Sequence, residues 1–144
     1  MIRADAEFLI IADIGPLLTA ADMDGTTVDG TNLSLNGPIG RAIRDLDYTV
    51  VDPTSVSDTD VAAIPVADTD EFLDTITLYT LEAVLGNLDD TDLTVGPRQE
   101  KFSQLAVQVG QKIARLRTAM ALAYGYGYAI PVAGYITKDI AEHD

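Results

Sequence analysis

The sequence predicts an all-α protein, a small helical bundle built on a long antiparallel helical hairpin with an extended C-terminal tail. Three observations carry this. Between Pro97 and Ala123, the residues Phe102, Ala106, Val109, Ile113, Leu116, Met120 and Ala123 recur at alternating steps of four and three. That spacing is one apolar stripe along a helix roughly 40 Å long at 1.5 Å per residue. A second long helical pattern over residues 69–88 follows the acidic cap Asp68-Thr69-Asp70-Glu71. The β-prone run from Tyr48 to Val51 is only four residues long and stops at Asp52-Pro53, so it reads as extended chain without a sheet.

In chain order, residues 4–23 read as a first helix with Phe8, Ile11, Leu17, Leu18 and Ala21 on its apolar face. Gly15-Pro16 predicts a kink or break there. Residues 22–36 are rich in Asp, Asn, Thr and Gly and read as a loop. Residues 37–47 suit a short helix with Asn36 as N-cap and Pro38 in its first turn. Ile39, Ile43 and Leu46 share one face of it, with Arg41 and Arg44 opposite. Ser57-Asp58-Thr59-Asp60 opens a third, short helix through a capping box and ends before Pro65.

The helix over 69–88 has two apolar stripes. Phe72, Ile76, Tyr79 and Ala83 form one, and Leu78, Leu81, Leu85 and Leu88 the other. Two stripes imply contacts on two sides, as in a bundle or an oligomer. The short link over 89–96 makes the two long helices antiparallel neighbours. Leu105 and Leu122 widen the stripe of the second. Residues 1–123 form a helical domain by this reading, and 124–144 a tail. Gly125 and Gly127 end the helix. The stretch Y-G-Y-G-Y-A-I-P-V-A-G-Y-I-T then holds four of the six Tyr. It is too short for a core of its own and too apolar for a solvated tail. It either adds to a partner as an extended strand or folds back on the chain's own helices.

The 144 residues suffice for one domain with a real core. The chain has no Cys, so disulfides and thiolate metal sites are excluded. No apolar run reaches the 18 residues of a membrane span, and the N-terminus lacks a secretory signal's basic start. The net charge of −14 argues against a general nucleic-acid binder, whose phosphates would be repelled. That charge is uneven. Residues 98–117 contain Arg98, Lys101, Lys112, Arg115 and Arg117 with one acid and sum to +4, leaving −18 for the rest. Many Asp and three Lys are also typical of proteins adapted to high salt. An acidic channel wall or a soluble assembly subunit gives the same bias.

No complete catalytic constellation is present, and no cofactor or metal is expected. The string Asp22-Met23-Asp24-Gly25-Thr26 resembles the nucleophile motif of haloacid-dehalogenase-type phosphatases. The resemblance implies Asp22 as nucleophile, Asp24 as acid/base, and Mg²⁺ held by both. That family places a buried strand before the motif and a pair of Asp after a Lys. Here Asp89-Asp90 precede Lys101. An EF-hand frame from Asp22 puts Thr27 at its sixth position and Leu33 at its twelfth, instead of Gly and Glu.

The layout as a whole resembles the head–tail connector (adaptor) proteins of tailed viruses. The pieces that carry this are D-E-F-L-D, L-E-A-V-L-G-N-L, D-L-T-V-G-P-R and L-A-Y-G-Y-G, within residues 16–128. They are similar to those of prophage structural proteins. The resemblance implies a ring, commonly of twelve copies, beneath the portal protein in the neck of the virion, assembled in the host cytoplasm. Such a ring joins head to tail and continues the DNA channel without reading sequence. The tail would engage the portal through Tyr126, Tyr128, Ile130, Val132, Tyr135 and Ile136. The five basic residues of 98–117 would meet acids of the same or a neighbouring copy. A small helical interaction module of cellular origin is a further alternative.

Overall fold

The computed structural model of the chain describes residues 1–90 and 96–129. These residues are all helical or irregular, with no strand among them. Five α-helices follow in order: α1 (Arg3–Ala20), α2 (Leu33–Asp45), α3 (Asp58–Ala62), α4 (Thr69–Asp90) and α5 (Gly96–Tyr124). A 3-10 turn at Val66–Asp68 leads into α4, and another at Tyr126–Ala129 follows α5. The all-α expectation holds. Among the described residues no helix is long and apolar enough to cross a membrane.

The centre of the bundle is α4, not α5. Helices α1, α2 and α5 all pack on it. That accounts for its two stripes: Phe72, Ile76, Leu78 and Leu81 are each at most 1% exposed. Burying one such side chain is worth about 1.5–3 kcal/mol. Thr75, Thr77 and Thr80 are buried beside them. Their hydroxyls donate to the carbonyls of Glu71, Leu73 and Ile76 one turn back, so none of the three is orphaned. The link 91–95 lies outside the described residues.

Two boundaries differ from expectation. Helix α1 runs through Gly15-Pro16 without a break. It buries Ala6, Ile10, Ile14 and Leu18 and leaves Phe8 59% exposed. Helix α2 starts four residues early, because Asn32 and not Asn36 caps it by accepting from the Leu35 amide. Asn36 instead accepts from the Val56 amide and donates to the Pro53 carbonyl. The Ser57/Asp60 capping box of α3 forms as expected. The Asp68 carboxylate accepts from the Tyr48 hydroxyl at 2.8 Å.

The C-termini of α1 and α2 close identically. Asp22 (φ 62°) and Asp47 (φ 67°) sit in the left-handed region. Behind them, Met23 N–H reaches the Leu18 carbonyl and Tyr48 N–H the Ile43 carbonyl. Both are Schellman motifs with Asp where Gly is preferred. A left-handed β-carbon and a carboxylate at the negative end of the helix dipole both cost stability. Asp47→Gly is therefore expected to raise unfolding free energy by about 0.5–1 kcal/mol in urea titration.

Loops are pinned by a recurring D-x-T device. Asp24, Asp29 and Asp52 each accept from the amide and hydroxyl of the Thr two residues on. Hydrogen bonds from Thr27, Thr31 and Thr54 respectively hold these three carboxyls below the usual Asp range.

The strongest tie is a buried hub at the start of α1. Glu7 is fully buried and Arg3 is 4% exposed. Arg3 Nε donates to Glu7 Oε2 at 3.0 Å. Its Nη1 donates to Asn36 Oδ1 and the Val56 carbonyl, and its Nη2 to the Asn32 carbonyl. Glu7 in turn accepts from the amides of Gly30 and Asn32. One ion pair thus fastens α1 to the loop before α2 and to the segment before α3.

Candidate functional site

Helix α5 carries the surface that stands out in an acidic chain. Its inward face is Val109 and Met120, fully or almost fully buried, with Leu105, Ile113 and Leu116 half-buried. Its outward face is Gln104, Val107, Gln111, Ala114, Thr118 and Leu122, every one uncharged and exposed, with Arg115 exposed beside them. Leu122, expected to widen the buried stripe, is 75% exposed, and Ala123 is exposed too. The 3.6-residue period explains this, since Leu122 lies on the far side from Met120.

The basic residues of α5 fall into three environments. Arg117 turns inward, donating to Glu82 Oε1 at 2.9 Å and to the Tyr128 carbonyl at 3.2 Å. Lys112 lies 3.8 Å from Asp13 of α1, both largely exposed, an arrangement worth little in stability. Arg115 is exposed and donates to the Gln111 carbonyl of its own helix. Arg98 and Lys101 lie on the first turns of α5, but their side chains are outside the described residues. Lys112 and Arg115 line a cleft of about 570 Å³ between α1, α4 and α5, whose walls also include Asp13, Asp74 and Leu116. Mixed charges and wide opening give it no single ligand chemistry.

The beginning of the tail folds back on the chain. Tyr128 is half-buried, and its hydroxyl donates to Glu71 Oε2 at 2.6 Å. Tyr124 donates to Asp74 Oδ2 at 2.7 Å, and the two rings meet edge to face at 6.1 Å. Glu82 with Arg117, Asp74 with Tyr124 and Glu71 with Tyr128 thus tie α4 to the last turns of α5 and to the 3-10 turn after it. Tyr126 lies in the 3-10 turn with its side chain outside the described residues, and Ile130, Val132, Tyr135 and Ile136 lie wholly outside them.

Phenol donating to carboxylate is the common device here. Tyr48 reaches Asp68 and Tyr79 reaches Asp45 in the same way, with Arg41 stacked 3.8 Å over the Tyr79 ring. Burial and then the Glu71 hydrogen bond push the Tyr128 phenol up to about 12. Burial and Asp74 push Tyr124 up as well. The sign follows from linkage. A raised phenol pKa contributes stability that is fully present below about 10 and lost as pH rises through the folded value. Phenolate absorbance should show Tyr124 and Tyr128 ionising later than a free phenol, together with loss of the edge-to-face contact. In Tyr128→Phe one late-ionising phenol should disappear.

The string Asp22 to Thr26 sits at the end of a helix. The residues before it are the last turn of α1, where the phosphatase resemblance calls for a strand. Asp22 is exposed and closes the helix. The Asp24 carboxylate accepts from Thr26 and Thr27. Asp89 and Asp90, expected in a turn, belong to the last turn of α4. Among the described residues no three His, Cys, Asp or Glu gather as a metal-ligand set.

Sequence reasoning missed the Arg3–Glu7 hub and the exposed Phe8 and Leu9. The one signal for the hub was the i, i+4 spacing of Arg3 and Glu7, which more often marks a solvated pair. Comparison of the chain with protein-family models, with curated proteins and with solved structures finds no match.

Proposed function

We propose that this protein is a non-enzymatic structural subunit that assembles into a ring beneath the portal of a tailed virus, joining head to tail. The observation that carries it is the outward face of α5. In a chain of net charge −14 this face bears no acid and displays Val107, Ala114 and Leu122 to solvent. A helical face of that length without acids is suited to being covered by another protein. The acidic remainder suits a channel wall along which DNA slides without sticking. Residues 130–144 supply the portal-engaging segment, with Ile130, Val132, Tyr135 and Ile136 as its apolar contacts.

Because Tyr124 and Tyr128 clasp α4, a truncation that tests the tail must leave them in place. A chain ending at Ala129 is expected to keep its helical content and to lose at least tenfold in affinity for purified portal rings. Undiminished binding would overturn the tail's role.

A further inference from the structure

The ring reading, on which this inference rests, leaves open which surfaces join neighbouring copies. We infer that the outward face of α5 docks on the outward face of α1 of the next copy, a heterologous contact. The face of α1 opposite its buried stripe shows Ile2, Phe8, Leu9, Ala12 and Pro16 to solvent, with Asp5 among them and Asp13 at its edge. Phe8 at 59% and Leu9 at 47% exposure are uncovered although the same helix buries Ile10 and Ile14 completely or nearly so. The described residues thus leave two helix faces uncovered, one apolar with acids and one without acids that Arg115 borders.

Charge selects how they meet. Two copies at −14 each repel, so a copy can approach another only where its own field is locally reversed. Arg115, exposed on α5 beside a face without acids, marks that place. Joining α5 to α5 across a two-fold axis would set Arg115 against its own kind. Joining α5 to α1 sets Arg115 beside Asp5, while Val107 and Leu122 cover Phe8 and Leu9. A contact between two different faces repeats from copy to copy and closes into a ring when the rotation permits.

The test uses two full-length variants, Phe8→Glu and Leu122→Glu, with assembly measured by sedimentation velocity alone and on purified portal rings. Both sites are solvent-exposed, and circular dichroism verifies that folding is unchanged. Each variant alone is expected to weaken self-association at least tenfold. An equimolar mixture is expected to form 1:1 pairs and nothing larger, because each variant keeps the face that the other lacks. Assembly of the mixture no better than of either variant alone would overturn the α1–α5 pairing. Wild type and both variants assembling alike would also overturn it, while leaving the ring reading intact. A wild-type chain that stays monomeric both alone and on the portal would remove the ring reading itself and this inference with it.

Discussion

Glu7→Ala should destabilise the protein by about 3–5 kcal/mol, the range for stranding one member of a buried ion pair. The guanidinium of Arg3 would stay 4% exposed with its countercharge gone, and the amides of Gly30 and Asn32 would lose their acceptor. Replacing both charges by apolar groups often restores stability in buried pairs. Here it should not. Arg3 also satisfies the carbonyls of Asn32 and Val56 and the side-chain oxygen of Asn36. Arg3→Met with Glu7→Leu would orphan the Val56 carbonyl and the Gly30 and Asn32 amides, each at about 1–3 kcal/mol if it stays dry. The double variant should remain at least about 3 kcal/mol less stable than wild type in urea unfolding. Recovery to wild-type stability would show that water replaces the pair without loss.

Gly25→Ala is the second large effect. The loop after α1 crosses that helix backbone to backbone. A β-carbon on Gly25 would fall 2.5 Å from Thr19 Oγ1 and within collision distance of the Gly15 carbonyl. A β-carbon on Gly15 would fall 2.8 Å from the Gly25 carbonyl. Neither partner can move without shifting main chain. Overpacking a rigid site costs about 1–3 kcal/mol, and this crossing should reach the upper end. Thermal unfolding of Gly25→Ala, Gly15→Ala and the double variant should show costs smaller than additive, because one separation of loop and helix relieves both. Wild-type stability in Gly25→Ala would mean that the loop does not rest on α1. Gly25 thus has a packing reason for its place in the Asp22–Thr26 string.

The all-α class and the two long helices were legible because their apolar repeats run over many turns. The Ser57/Asp60 cap was legible because its chemistry is local. The face of α1 was not. Phe8, Leu9, Ile10, Ile11, Ile14, Leu17 and Leu18 surround that helix with apolar side chains, and local sequence reasoning assigns Arg3 and Glu7 to water. The fold does the reverse. It buries the ion pair with Ile10 and Ile14, because loops distant in sequence supply the hydrogen bonds that make burial tolerable. Those loop partners lie 23 to 53 residues away and have no periodic signal. Asn32 displaced Asn36 as the cap of α2 for a related reason. Both have the right chemistry, and the Val56 amide claims the second.

The candidate surface was half legible. The excess of positive charge along 98–117 is plain in the sequence. Its division into an inward Arg117, a cleft-lining Lys112 and an outward Arg115 depends on where α4 and α1 lie. The tyrosines after Ala123 split in the same way. Tyr124 and Tyr128 hold α4 through carboxylates, and the remaining tail contacts expected from the sequence lie outside the described residues.

Whether the subunit works as a ring is decided by electron microscopy of the purified full-length protein, alone and mixed with portal rings. Closed rings of one size with a central opening are expected, seated on the portal when it is present. Single copies in both preparations would contradict the ring.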